Sequence, residues 1–260
     1  MLIATWNING IKARIDSLLA WLDERSPDIA CLQEIKSVDE GFPCEAIESR
    51  GYHVATHGQK GFNGVALLSK TPPEEVLRGL PGDAADEQSR YIEGLWTIGG
   101  RRLRVASIYL PNGNPLGTEK FDYKLRWMAR LEAHARACLA AEEDLVLAGD
   151  YNVIPEPEDV KNPTAWLGDA LYQPESRAAW RRLLNLGLTD AVRSTTEAAG
   201  TYTFWDYQAG AWQKNNGIRI DHVLLSPEAL SRLASVGIDR HVRAWEKPSD
   251  HVPVVVELAA

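Results

Sequence analysis

What this 260-residue chain lacks narrows it quickly. It has only three cysteines, Cys31, Cys44 and Cys138, with no CxxC pair and no Cys/His metal spacing. That excludes a disulfide-stapled scaffold. Cys31 in an apolar strand and Cys138 on a helix read as buried thiols, which suits a reducing compartment. No apolar stretch reaches the ~18 residues of a membrane span. The first residues, Met1 to Asn7, carry no basic leader and no small-residue cleavage site, so a cytoplasmic protein is expected. There is no solenoid-length repeat, no low-complexity linker and no break in composition, which predicts one domain over 1–260. The glycines spell neither GxGxxG nor a P-loop, so the common phosphate cradles are excluded. Positive charge is not in excess either: the net charge is −8. Wholesale electrostatic attachment to nucleic acid is thereby disfavoured. A nuclease is not, because a metal-dependent site concentrates carboxylates and a local patch can meet phosphates.

What is present is ordinary globular composition, 45% hydrophobic and 25% charged. Short apolar runs read as buried strands: Leu2–Trp6, Ile29–Leu32, Leu145–Ala148 and Val252–Val256. Tyr52–Thr56 and Gly64–Ser69 read as a hairpin joined through Gly58-Gln59-Lys60-Gly61. Arg90–Ile98 and Arg101–Leu110 form another about Gly99-Gly100. Helical periods follow Gly10 (Ile11, Ile15, Leu18, Leu19, Leu22), cover Lys120–Leu139 with Phe121, Leu125, Met128 and Ala135 inward, and run from Arg177 to Leu186 before Gly187. Thr201–Trp205 and Ile218–Leu225 read as strands. Pro155–Pro174 is a long irregular insert, of a kind usually functional in a compact domain. Strands and helices alternate loosely with hairpins between, which predicts mixed sheets covered by helices rather than one parallel sheet.

Polar residues collect where the apolar runs end. Asn7, Glu34, Tyr109, Asp150, Asn152, Asp221, Asp250 and His251 span nearly the whole chain, and most directly follow or precede a buried run. A carboxylate there is costly unless something pairs with it. Taken singly, each is ordinarily a turn or cap residue; eight such positions argue for a site. Glu34, Asp150 and Asp250 are hard oxygen donors and Asn7 and Asn152 neutral ones, a set suited to Mg²⁺ or Mn²⁺ rather than Zn²⁺. With His251 to move protons and Tyr109 and Asn152 to donate hydrogen bonds, the set fits metal-assisted attack of water on a phosphodiester.

Six blocks carry a resemblance: Thr5-Trp6-Asn7-Ile8-Asn9-Gly10, Leu32-Gln33-Glu34-Ile35-Lys36, Ile108-Tyr109-Leu110-Pro111-Asn112-Gly113, Gly149-Asp150-Tyr151-Asn152-Val153, Arg219-Ile220-Asp221-His222 and Ser249-Asp250-His251. In kind and order they resemble the signature blocks of the exodeoxyribonuclease III family of apurinic/apyrimidinic (AP) endonucleases, across essentially the whole chain. The resemblance implies a four-layered α/β sandwich, two mixed β-sheets face to face with helices outside. It implies a Mg²⁺-dependent enzyme that cuts duplex DNA 5′ to abasic sites and trims 3′ ends in the 3′→5′ direction. Glu34 is then the principal metal ligand, with Asn7 and Asp250 near the ion directly or through water. Asp150, Asn152 and His251 also stand close to it. Asp150 orients or deprotonates the attacking water or protonates the leaving oxygen, and Asp150 and His251 both remain candidates for the general base. Asn152 bonds the phosphoryl oxygens, Asp221 fixes the His251 tautomer, and Tyr109 serves the phosphate or leaving group. Lys12, Arg90, Asn112, Asn114, Lys120, Lys124 and Arg219 are the candidate phosphate contacts. Gln213-Lys214-Asn215-Asn216 is a candidate groove loop, and Phe204, Trp205, Ile218 and Ile220 are the candidate lining of a pocket for a flipped-out sugar. Competing readings are a sister RNase or small-phosphoester phosphatase, and a non-catalytic DNA-binding module. No apolar helix face stands out as an interface, so a monomer is expected.

Overall fold

The computed structural model describes residues 1–260. Strand β1 (Leu2–Asn7) turns through Gly10 into helix α1 (Ile11–Arg25), which returns the chain to β2 (Ile29–Gln33). Helix α2 (Cys44–Glu48) precedes the hairpin of β3 (His53–His57) and β4 (Val65–Ser69). A meander of β5 (Glu75–Arg78), β6 (Tyr91–Ile98) and β7 (Arg101–Tyr109) follows. Gly99 and Gly100 both have positive φ, 60° and 78°. That is what a two-residue turn matched to the strand twist requires. Helix α3 (Glu119–Leu139), capped by the Thr118 hydroxyl, leads to β8 (Asp144–Asp150). The predicted irregular insert holds only short 3₁₀ turns before α4 (Pro174–Asn185). The chain closes with β9 (Thr189–Asp190), α5 (Ala191–Thr195), β10 (Asp221–Leu225), α6 (Pro227–Leu230), β11 (Leu233–Ile238) and β12 (Val254–Leu258).

The strands form two six-stranded sheets, ordered β11-β12-β1-β2-β4-β3 and β5-β6-β7-β8-β10-β9. Each has one parallel pair at its centre, β1/β2 and β7/β8, and only antiparallel pairs outside it. The two sheets therefore carry the same pattern of strand directions. One core lies between them (Ile3, Cys31, Leu67, Val105, Val146, Val223, Val254). Two more lie under the outer helices: Trp6, Trp21 and Leu32 beneath α1, and Trp127, Leu131 and Trp180 beneath α3 and α4. Apolar residues on both strand faces thus produce the four expected layers.

Two local expectations need correction. Thr201–Trp205 forms isolated bridges, Phe204 to Ile218 and Phe204 to His251, and β10 begins only at Asp221. The Thr203 hydroxyl accepts the N–H groups of both Ile220 and Asp221 at 3.1 Å, taking the place of a ladder. On α3 the buried face is Lys124, Trp127, Met128, Leu131 and Ala135, while Phe121 and Leu125 are only half-buried. The stripe turns because Lys124 is drawn inside to backbone carbonyls, described below.

Candidate active site

Side chains alternate along a strand, and the inter-sheet face of each central strand ends in a polar residue at the same rim. Ile3 and Thr5 lead to Asn7, Val105 and Ser107 to Tyr109, and Val146 and Ala148 to Asp150; Asp221 opens the row of Val223 and Leu225. Glu34 follows β2, and His251 stands just before β12. The parallel pair of each sheet ends at this rim, and the antiparallel neighbours β12 and β10 begin there. Each sheet thus delivers three stations: Asn7, Glu34 and His251 from one, Tyr109, Asp150 and Asp221 from the other. Below them the core turns polar, Gln33 bridging Thr5 (3.0 Å) and Ser107 (2.9 Å) between the sheets.

The side chains interlock. Asn7 Nδ2 donates to Glu34 Oε1 and to Asp150 Oδ2, both at 2.9 Å, and its own oxygen accepts the Asn9 N–H. Asn7 therefore stands between the two carboxylates as a donor, with its oxygen turned to the Asn9 N–H. His251 Nδ1 meets Asp221 Oδ2 at 2.8 Å, and its Nε2 lies 3.7 Å from Asp150 Oδ2. Ser249 Oγ donates to the Asn7 carbonyl at 2.7 Å and accepts the His251 N–H at 3.2 Å, tying β1 to the Asp250-His251 turn. Asp250 accepts from Asn9 at 3.0 Å. Asn152, at a φ of 46°, uses its side-chain N–H on the Leu110 carbonyl at 2.9 Å.

Burial alone would raise the pKa of Glu34, but the Asn7 hydrogen bond, Lys36 and His251 outweigh it and hold this carboxyl below its usual value. Asp150 is pushed up, by burial first and by the charge of Asp221. Burial would lower His251, yet Asp221 and Asp150 together push it up. At contact distance, four carboxylates (Glu34, Asp150, Asp221, Asp250) have one lysine, Lys36 at 3.2 Å from Glu34, and one imidazole, while Arg243 and Lys124 act on Asp250 and Asp150 from farther off. That excess of negative charge, with ligand atoms of Glu34, Asp150 and His251 within 4.8 Å of one another, fits a bound divalent cation. A cavity of about 220 Å³ opens over these groups, walled by Tyr109, Asn152, Trp166, Phe204 and Ile218.

Residues 4–251 match a family described as the endonuclease/exonuclease/phosphatase family. The chain belongs to this family. Within it, the chain is 38% identical over 265 residues to exodeoxyribonuclease III of Haemophilus influenzae, covering 99% of both. It superposes with a TM-score of 0.94 on a variant of the 3′ phosphatase NExo from Neisseria bound to a product DNA hairpin, at 37% identity over the whole of both chains. An AP endonuclease from Archaeoglobus fulgidus gives 0.93 at 36%, again with full coverage. The chain is thus a member of the exodeoxyribonuclease III and AP-endonuclease group, with the four-layered sandwich that the resemblance implied.

Several expected DNA contacts are placed elsewhere by this family fold. Arg219 has no exposed surface and spends its donors on Asp159 (2.7 Å and 3.1 Å) and Asp190 (2.7 Å). Trp205 is equally enclosed, packed edge-on against Trp212 with its Nε1 on Asn215. Lys124 is buried and donates to the carbonyls of Asn112 (3.1 Å) and Asn152 (2.5 Å). Burial drives its pKa down to about 7, the aspartates nearby opposing the shift only in part. Asn114 is used up on its loop neighbour Asn112 and on Asp169 and the Ala170 N–H of the irregular insert. Phe204 sits edge-on to His251, its ring 5.0 Å away, and Ile218 and Ile220 line the cavity although they are almost wholly covered. Lys12, Lys120 and Asn112 are exposed, as are Gln213, Lys214 and Asn216 of the amide-rich turn. Arg90 lies over the Tyr109 ring, 4.8 Å from its centroid. The sequence reading missed Gln33, Ser107, Asn9 and Ser249. Inward alternation signals Gln33 and Ser107, one and two steps below the rim; for the other two, no local signal exists.

Proposed function

We propose that this protein is a DNA-repair nuclease that hydrolyses phosphodiesters in duplex DNA, cutting 5′ to abasic sites and removing nucleotides 3′→5′ from ends. The single observation that carries the reading is the convergence of Glu34, Tyr109, Asp150 and His251 from both sheets on one small cavity, with Asn7 and Asp221 holding them from behind. Glu34, with Asp150 and Asp250 beside it, would hold Mg²⁺ or Mn²⁺. When bound, such a cation supplies positive charge to the phosphoryl group. The chain's own residues do the rest. Asp221 holds the Nδ1 side of His251, so Nε2 is left to donate to a phosphate oxygen. Asp150, held by the Asn7 amide and the Asn152 N–H, is the acceptor for the proton of the attacking water. Water oxygen bonds to phosphorus as the P–O3′ bond breaks, and Tyr109, which lines the same cavity, donates toward the departing oxygen. Asn112 at the loop mouth, Arg90 and Lys12 position the backbone, and the protein acts as a monomer in the cytoplasm.

A second reading, removal of a 3′ phosphate, draws on the likeness to NExo and on the small size of the cavity. One assay separates the two. A duplex with a single tetrahydrofuran abasic analogue and a duplex ending in a 3′ phosphate are each incubated with the protein and Mg²⁺. Incision of the first supports the nuclease reading. Turnover of the second alone replaces it with the phosphatase reading.

A further inference from the structure

On the outer face of the second sheet, the C-terminal half of α3 meets β6 through polar groups that the proposed reaction does not use. Glu93 is nearly fully buried there. Its Oε1 accepts from Arg104, and its Oε2 accepts the Tyr91 hydroxyl at 2.5 Å and faces His134 Nε2 at 2.8 Å. That same nitrogen lies 3.5 Å from Cys138 Sγ. In a nucleophile–base–acid relay the two partners engage opposite ring nitrogens. Here sulfur and carboxylate oxygen converge on one nitrogen, all three donor atoms within 4.8 Å of one another. Convergence on a point is the geometry of a metal site.

We propose that Glu93, His134 and Cys138 form a second divalent-metal site, of the zinc class, that clips α3 to β6. His134 and Cys138 are four residues apart on one helical face. A helical His-x-x-x-Cys pair is no CxxC signature, and Cys138 is half-buried rather than the fully buried thiol expected. A tetrahedral ion with bonds of about 2.3 Å to sulfur and 2.0–2.1 Å to nitrogen and oxygen sets its ligand atoms roughly 3.3–3.6 Å apart. The sulfur–nitrogen distance already meets this, and Glu93 and His134 need to part by only about 0.5 Å. Thiolate, imidazole and carboxylate together select Zn²⁺ over Mg²⁺. Arg104 holds the other carboxylate oxygen and Tyr91 donates to the ligating one, as outer partners of metal ligands do. The charge also balances: one proton leaves His134 Nε2, one leaves Cys138 Sγ, and one divalent cation takes their place. Hydrogen bonds to Cys138 and Glu93 hold the His134 pKa up to about 9, so the ring carries the proton that the cation displaces.

Co²⁺ is the probe, added to the full chain with its thiols reduced and Mg²⁺ in large excess to occupy the oxygen-rich rim. The expected result is one equivalent bound with a thiolate-to-cobalt charge-transfer band, lost in both Cys138→Ser and His134→Gln. Zn²⁺ should abolish the band and raise Tm by several degrees in the unmodified protein only. Gln at 134 can still donate to Glu93, so the variant keeps its fold, as circular dichroism would verify. Incision by Cys138→Ser with Mg²⁺ alone should be unchanged, separating this site from the catalytic rim. No band in the unmodified protein, or a band that survives Cys138→Ser, overturns the proposal.

Discussion

Two buried polar clusters lie back to back across β10, and they are built to opposite rules. Asp221 faces the rim between the sheets, where four carboxylates meet one imidazole and one lysine. The next residue, His222, points out beneath Trp180. There Arg219 and Arg193 meet Asp159 and Asp190, cation for anion. Every Arg219 nitrogen has a partner, the last being His222 Nδ1 at 3.0 Å, and His222 Nε2 reaches the Val153 carbonyl at 3.0 Å. The outer cluster is complete within the chain, whereas the rim cluster is left with surplus negative charge. Buried charge that is balanced and fully bonded supports a fold, and buried charge left unbalanced calls for a ligand.

The comparison is broken most sharply at the rim. Asp150→Asn should lower the incision rate by about 10²–10⁴-fold, as expected for loss of a proton acceptor. Stability without metal should hold or rise, because the raised pKa of Asp150 marks a charge that the fold accommodates at a cost. Rates are followed on the abasic duplex and stability by urea titration; a destabilised, active variant would make Asp150 a structural residue. The reverse pattern belongs to Arg219→Met. Removing this cation strands Asp190 and leaves Asp159 with Arg193 alone, at a cost of about 3–5 kcal/mol. The rate per folded molecule should change little. A stable but inactive Arg219→Met would return Arg219 to the DNA-binding surface.

How far these clusters were legible in the sequence follows from what a local pattern can carry. Asn7, Glu34, Asp150 and His251 each abut an apolar run, so the run itself places them at a strand mouth. Arg219 and Asp221 stand two residues apart in one apolar stretch, read as a phosphate contact and a site residue, yet Arg219 turns to Asp159, sixty residues back. Its partner lies in the irregular insert, where no periodicity points to it. Lys124 misled for the same reason. A lysine on an amphipathic helix reads as solvated, and its acceptors are carbonyls of two loops that only the fold assembles. Trp205 was ambiguous in kind, since an aromatic beside a strand serves core and pocket alike.

The smallest effect tests the outer cluster from its titratable member. His222 faces Arg219, with Asp190 and Asp159 behind, and packs on Tyr151 and Trp180. Burial first, and Arg219 second, push its pKa down to about 4. The unfolded ring titrates at about 6.5. Above that value both states are neutral and the contribution is fully present. As pH falls from about 6.5 to 4, the unfolded chain takes up a proton that the folded one refuses, and about 3 kcal/mol is lost. His222→Gln keeps one group to accept from Arg219 and another to donate to Val153, but it cannot titrate. Urea-derived stabilities of the two proteins should therefore converge between pH 7 and pH 4, the variant's curve being the flatter. Parallel curves would mean that His222 takes up its proton in the fold as readily as in the unfolded chain. The cluster would then carry a third cation against two carboxylates, and its balance, on which the contrast with the rim depends, would fail.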